Sequence, residues 1–336
     1  MRNMPLLKKL TQAFGVAGFE TCVRALIRSE VEQYADEIIT DSIGNLIVLK
    51  KGSGAPEGKR IMLAAHMDEI GFMVKKIEAD GRLRICNVGW NWAASVYNGR
   101  VRFRNGLVGV VGCMGDIHDN RDVGKLYVDI GAKSKEDAEK YVHIGDVCAY
   151  CGPFEEMPNG LVCSKSLDNR IGCFQLIEAL RENDGTGPND VYYVFTVQEE
   201  VGCRGSKPAA ERIRPDIGIA VDITPAHDYP CDLEVSNTVG AGIAVKYADA
   251  SVICDAEVSS AMVECCRKEC IPWQPEVIDK GGTDASSMNQ SGWGVRAGGI
   301  AVATRFPHCQ SCVASTDDIE AGILLLIALT RHTFSC

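Results

Sequence analysis

The chain has 336 residues, 46% of them hydrophobic and 24% charged, with a mean hydropathy of -0.02, which fits a globular protein and excludes disordered and fibrous ones. That length is past the size at which one core keeps growing, so two domains, or one domain carrying a large insertion, are expected. With 35 Lys and Arg against 45 Asp and Glu the net charge is -10 and no basic run exists to neutralise phosphates, while the longest apolar run, 323–329, is far short of the roughly 20 residues that span a bilayer; neither nucleic acid nor membrane is an expected partner.

Apolar spacing predicts amphipathic helices over 4–13 and 21–34, the second from Val23, Leu26, Ile27 and Val31. Residues 36–40 and 45–49 alternate as a hairpin, and a Gly/Ser/Pro-rich turn at 51–58 leads into 61–65. That run is continuously apolar, as a strand buried on both faces should be. From Gly71 to about 158 the texture changes. Short strand-like runs at 72–77, 83–88, 100–103, 107–111 and 126–130 alternate with Gly and Asn turns, interrupted by one helical pattern at 134–142. This describes a small β-barrel or sandwich.

After Gly160 strands and helices alternate: helices at 168–181, 205–213, 256–270 and 316–332, strands at 191–197, 217–221 and 299–303. The last helix has Ser315 and Thr316 as cap candidates and Asp317 and Asp318 in its first turn, where the helix dipole favours negative charge. The fold class is therefore α/β, a mostly parallel sheet with helices on both faces. Residues 1–72 and 159–336 form that domain, and 73–158 form an inserted β-rich domain.

The first ten residues lack the uninterrupted apolar stretch of a secretion signal, so a cytoplasmic location is expected. Sixteen cysteines are spread along the chain. In a chain of this length they read as reduced, small core residues rather than a disulfide framework. Two pairs, Cys148 with Cys151 and Cys309 with Cys312, and the group Cys265, Cys266 and Cys270, do not have the context of a four-ligand zinc site.

Open α/β sheets carry their functional groups just beyond the carboxyl ends of the strands. Here 61–65 ends in His66-Met67-Asp68-Glu69, 191–197 in Gln198-Glu199-Glu200, and 217–221 in Asp222, while 299–303 runs on to His308 and the helix at 168–181 opens on Asp168. Each of these has an ordinary structural reading on its own: a satisfied histidine, a Glu pair at a helix start, an N-capping Asp. Five such endings converging on one rim point to chemistry instead. Two imidazoles and several carboxylates, with no thiolate among them, suit divalent Zn, Mn or Co. So many carboxylates repel unless cations separate them, and two metals about 3.5–4 Å apart, bridged by one carboxylate, are a hydrolytic design. Of the adjacent Glu199 and Glu200, one can ligate metal while the other serves as general base.

The motifs Ala65-His66-Met67-Asp68-Glu69-Ile70-Gly71-Phe72, Ser166-Leu167-Asp168-Asn169-Arg170-Ile171-Gly172, Val197-Gln198-Glu199-Glu200-Val201-Gly202, Val221-Asp222-Ile223-Thr224 and Gly281-Gly282-Thr283-Asp284-Ala285 occur in this order. Asp116-Ile117-His118, Asp129-Ile130-Gly131-Ala132 and Ile144-Gly145-Asp146 accompany them in the β module. Across nearly its whole length the chain resembles the tetrahedral aminopeptidases, dinuclear metallo-enzymes that include glutamyl aminopeptidases and proteins once labelled endoglucanase M.

The resemblance implies two divalent ions per subunit (Zn, with Co or Mn as alternatives), bridged by Asp168. It places His66 and Asp222 on one ion and Glu200 and His308 on the other. Glu199 is then the base for the bridging water, Asp68 holds the His66 ring, and Asp284 lies in a substrate-side loop. It further implies short peptides with a free N-terminus as substrates, dimerisation through the β module, and dimers assembled into a hollow tetrahedral dodecamer. The run His308-Cys309-Gln310-Ser311-Cys312 departs from the family, which often places Ser-Pro and an acidic residue after its last histidine. His118 and His143 read as structural or interface residues, with a role for the His118 loop in a neighbouring subunit as the alternative. Three other functions compete: a dinuclear deacylase or dipeptidase acting on N-blocked amino acids, a glycosidase with a carboxyl pair and no metals, and a metal-binding assembly protein without activity. Glu199, which is not a ligand in this scheme, argues against the last.

Overall fold

The computed structural model describes residues 2–119, 122–234 and 237–335. Four parallel strands form the centre of an eleven-stranded sheet, in the order Asp190–Thr196, Arg60–His66, Ile217–Pro225 and Arg296–Arg305. Along the second of these, Ile61, Leu63 and Ala65 enter one core and Met62 and Ala64 the other. That two-sided alternation is why the sequence runs apolar without a polar face. Val191, Tyr193 and Phe195 oppose Val194 in the same way, and Ile217, Ile219 and Val221 oppose Ala220. The larger side chains meet the helices Met4–Gln12, Thr21–Val31, Leu167–Glu182, Ala256–Lys268 and Thr316–Arg331. The smaller ones meet the short helices Ser206–Ile213 and Asp284–Asn289.

Both margins of the sheet are antiparallel. The hairpin Glu37–Thr40 and Leu46–Lys50 joins on one side. On the other, Arg296–Arg305 pairs with two partners in succession. Its middle takes Ile243–Ala248, which continues to Trp273–Val277, and its end takes Cys312–Ser315, followed by Leu161–Ser164 and Glu155–Met157. None of these five marginal strands was expected from the sequence. They are short, and Trp273–Val277 carries Pro275, which only an edge strand tolerates.

The segment from Gly71 to Tyr150 closes into a barrel of six antiparallel strands, which decides between barrel and sandwich. Around the barrel the order is Gly71–Ile77, Leu83–Val88, Leu126–Asp129, Val108–Cys113, Arg100–Phe103 and Val147–Tyr150. Its interior is filled by Phe72, Val74, Leu83, Ile85, Val101, Phe103, Val111, Leu126 and Val128. The helix expected at 134–142 is a single turn, Lys135–Ala138, capped by Ser134. The chain enters the barrel directly from 66–70, so the rim loop after the second central strand is also the junction between the two bodies.

Capping of the final helix is shared differently from the expectation. The Ser315 hydroxyl accepts from the Asp317 amide, whereas the Asp318 carboxylate turns away to accept from the amides of Gly240 and Gly242, each at 2.7 Å. The fifteen described cysteines are free thiols, six buried and three exposed; with Cys113 and Cys309 also packed against the cores, packing accounts for eight of them. No helix among the described residues is long and apolar enough to cross a membrane.

Candidate metal centre and active site

His66 ends its strand 2% exposed, with Nε2 3.1 Å from Asp168 Oδ1 and 3.7 Å from Asp222 Oδ1. The other oxygen of Asp168 lies 3.2 Å from His308 Nε2, which is 3.4 Å from Glu200 Oε2. Two groups of three therefore form, His66 with Asp168 and Asp222, and Asp168 with Glu200 and His308; within each group the ligand atoms lie within 4.8 Å of one another. Asp168 belongs to both. Glu199 faces the first group, with Oε2 3.9 Å from His66 Nε2.

The backbone explains how Asp168 reaches this position. It and Asn169 lie within the span of the helix Leu167–Glu182, yet both have non-helical dihedrals, and the N-cap position belongs to Ser166 rather than to Asp168. Asn169 is pinned below it, its Nδ2 donating to the Val221 carbonyl at 2.8 Å and its Oδ1 accepting from the Gly172 amide at 3.0 Å. A Cβ on Gly172 would stand 2.4 Å from that Oδ1, so this close approach requires glycine. Ser166, Gln198, Phe306 and His308 all have left-handed φ between 55° and 56°. Non-glycine residues adopt that conformation at a cost of about 1–3 kcal/mol each, and such strain concentrates at working sites.

Asp68 is fully buried and does two things. Its Oδ1 stands 3.5 Å from His66 Nδ1, and its two oxygens accept from the amides of Glu199 and Glu200 at 3.0 and 3.1 Å. Behind the rim, buried Glu69 accepts from Lys165 Nζ at 2.6 Å and from the Gly15 amide at 3.0 Å, and Arg170 Nη2 lies 3.5 Å away. Arg170, fully enclosed, also donates to the carbonyls of Met67 and Ala13. Burial alone would raise the Glu69 carboxyl, but the Lys165 and Arg170 cations hold it below its ordinary value.

The rim itself shows the opposite balance. Burial, reinforced by Asp222, Asp284 and Glu200, drives Glu199 well above the carboxylate range. Burial pushes Glu200 up to about 8 against the pull of His308. The imidazoles also gain protons: burial disfavours their charge, yet Glu200 and Asp168 take His308 up to about 10, and Asp168 and Asp222 take His66 well above its usual value. A cluster that binds protons this avidly is one in which cations are strongly favoured. Glu200 Oε1 is buried without a hydrogen-bond partner, on the same carboxylate whose Oε2 faces His308. The oxygen and imidazole donors fit borderline divalent ions.

Asp284 is 2% exposed and accepts from the Thr196 hydroxyl at 2.6 Å; burial pushes it up to about 6. His118 and His143 lie in the barrel segment, where the His118 amide donates to Asp116 and the His143 ring stands 3.8 Å from Asp146. Sequence reasoning missed Trp90. This residue sits in the barrel loop after Leu83–Val88, and its carbonyl lies 2.9 Å from His308 Nδ1, with its ring edge-on to the imidazole. Trp92 packs against it at 4.3 Å between ring centroids. Two tryptophans in one Gly/Asn turn were the available signal. A cavity beside Asp168, Glu200 and His308 is lined further by Ile70, Tyr150, Cys309 and Cys312, so the divergent run after His308 forms part of the site wall.

Residues 44–325 match the model of the M42 glutamyl aminopeptidases. The chain is 32% identical to the lysyl aminopeptidase of Pyrococcus furiosus over 99% of this chain and 98% of that one. Among solved structures, an aminopeptidase from the archaeon Desulfurococcus kamchatkensis superposes with a TM-score of 0.92 at 33% identity, covering 98% of this chain and 94% of that one. The TET1 peptidase of Pyrococcus horikoshii, which can assemble into a tetrahedron or a large octahedral shell, superposes with a TM-score of 0.86 at 31% identity over 99% of both chains.

Proposed function

The chain belongs to the M42 glutamyl aminopeptidase family, and from that premise we propose that it removes N-terminal residues from short peptides with two divalent ions, zinc or in its place cobalt or manganese, held by His66, Asp168, Asp222, Glu200 and His308. That it is an aminopeptidase, a hydrolase of peptide bonds, follows from the family and its relatives. The observation that carries the two-metal reading is the pair of His/carboxylate groups sharing Asp168. When bound, such ions polarise a substrate carbonyl and acidify a shared water.

The protein's own residues supply the rest. Glu199 ligates neither ion in this scheme; its carboxylate, 3.9 Å from the His66 imidazole, takes the proton of the attacking water and returns it to the leaving amine. Asp68 fixes the direction of the Glu199 backbone and the face of the His66 ring. Trp90 orients His308 through its carbonyl, and Asp284 supports the substrate side of the rim through Thr196.

The inserted domain, expected at 73–158 and carrying the barrel of Gly71 to Tyr150, serves dimerisation in this reading, with 1–72 and 159–336 as the catalytic domain. The protein assembles as a homo-oligomer, dimers building a tetrahedral dodecamer; the assemblies of the horikoshii relative support this. The free thiols support a cytoplasmic location.

Hydrolysis of aminoacyl-anilides, free and N-acetylated, by chelated protein refilled with Zn, Co or Mn tests the reading. Metal-dependent release from free-amine substrates alone is expected. Cleavage of the acetylated set would mean a deacylase, and full activity after chelation would overturn the metal reading.

A further inference from the structure

The loop that carries both adjacent glutamates has its backbone N–H groups arranged in an unusual way. Three consecutive amides, those of Gln198, Glu199 and Glu200, each donate to a buried carboxylate. Asp68 takes the last two. The first goes to Glu20, whose Oε1 accepts from Gln198 N at 3.2 Å and from Gly18 N at 2.7 Å. Gln198 is the residue held in the left-handed region, φ 56°. A strained turn of this kind persists only where its surroundings over-determine it.

Glu20 is 3% exposed and sits at the start of the helix Thr21–Val31, where a carboxylate would ordinarily cap its own first turn. It makes no such bond and is turned toward the catalytic loop. The rest of its segment grips the other rim loop. Glu69 N donates to the Gly15 carbonyl at 2.9 Å and Ala17 N to the Glu69 carbonyl at 3.2 Å. Val16 packs with Val147 and Ala149 of the barrel, joined by Phe14 and Phe19. Residues 15–20 thus touch the loop after His66, the loop of Glu199 and the barrel, although they lie before the stretch that matches the family model.

We propose that this N-terminal segment is a brace for the active site and that Glu20 is a positioning residue, fixing Gln198 so that Glu199 points at the reacting water. Glu20 touches neither the proposed ligand atoms nor substrate; it acts through the peptide unit before the base. The inference rests on the aminopeptidase reading for its kinetic consequence and on geometry alone for its structural one.

The test compares Glu20→Ala and Glu20→Gln in the metal-loaded enzyme, by steady-state kinetics on an aminoacyl-anilide and by hydrogen exchange of the peptide covering 198–200. Alanine leaves the Gln198 and Gly18 amides without an acceptor, so those amides lose protection. A base displaced by about 1 Å lowers kcat about a hundredfold, with KM little changed. Glutamine keeps an acceptor oxygen and restores kcat to within about threefold, and metal content stays that of the parent. Unchanged protection and kcat in the alanine variant would overturn the proposal. So would an equal fall in kcat/KM for both variants with lowered thermal stability, which is the mark of a merely structural residue. Should the alanine variant not fold, a tenfold or greater loss of kcat in the glutamine variant overturns it as well. If the parent cleaves no anilide the aminopeptidase reading fails, while the exchange of 198–200 still judges the brace.

Discussion

Glu69→Gln removes the one anion that two enclosed cations share. In the parent, Lys165 Nζ meets Glu69 at 2.6 Å and Arg170 lies 3.5 Å from its other oxygen, with side chains 9% and 0% exposed. After the substitution Arg170 keeps the carbonyls of Met67 and Ala13, but Lys165 keeps only neutral acceptors, the Ser166 hydroxyl at 3.1 Å and an amide oxygen where the carboxylate stood. Breaking a buried pair from one side costs about 3–5 kcal/mol, because the remaining charge stays desolvated. Chemical denaturation near neutral pH should show a loss of that size. Lys165→Met alone leaves Glu69 beside Arg170 and the Gly15 amide and should cost less. The double variant should be more stable than the sum of the two losses implies, by about 1 kcal/mol or more. The sign with pH also follows. The folded carboxyl lies below its ordinary 4.5, so its contribution is present above the unfolded value and lost as pH falls through the folded one. The glutamine variant should therefore lack part of the acid destabilisation that the parent shows below about pH 4.5. Additive losses together with an identical acid limb would refute the assignment.

Glu199→Gln should retain the parent's metal content, measured by atomic spectroscopy, yet lose about 10²–10⁴ in turnover; loss of metal instead would reverse the roles of the adjacent glutamates. Chelation should abolish anilide hydrolysis and lower the thermal midpoint, with restoration worth about 2.7 kcal/mol at a metal concentration one hundred times the Kd; an unmoved midpoint counts against ions at this rim. Gly89→Ala places a Cβ 2.7 Å from Ile70 Cγ2 and 3.2 Å from Glu200 Cβ, at a φ of 76°. It should displace the Trp90 carbonyl from His308 and reduce turnover while the barrel stays folded by circular dichroism; wild-type turnover would show that this contact does not matter.

Legibility in the sequence followed the physics of burial. The central strands could be read because both of their faces are covered, which leaves uninterrupted apolar runs such as 61–65. The barrel was visible as alternation with turns, the pattern seen in the inward Val101 and Phe103 against exposed Arg100 and Arg102. The marginal strands were not legible, since Cys312–Ser315 and Leu161–Ser164 owe their extended shape to each other and carry no period of their own. At the site, strand ends pointed to His66, Asp222, Glu199 and Glu200 because topology alone delivers them to one edge. Glu20 and Trp90 escaped for a different reason. Each meets the site through a backbone group, the Gln198 amide for Glu20 and its own carbonyl for Trp90, so neither forms part of a strand-end pattern of catalytic residue types.

The Trp90 carbonyl and the His308 ring are separated by 218 positions in the chain, and the groups they join belong to two separately packed cores. That contact therefore cannot form as either body folds alone; it waits for the two to dock. During synthesis the strand bearing His66 and the whole barrel leave the ribosome long before His308 does, so this contact is among the later ones to be made. The contact thus ties together two parts of the molecule that pack separately and are far apart in the chain.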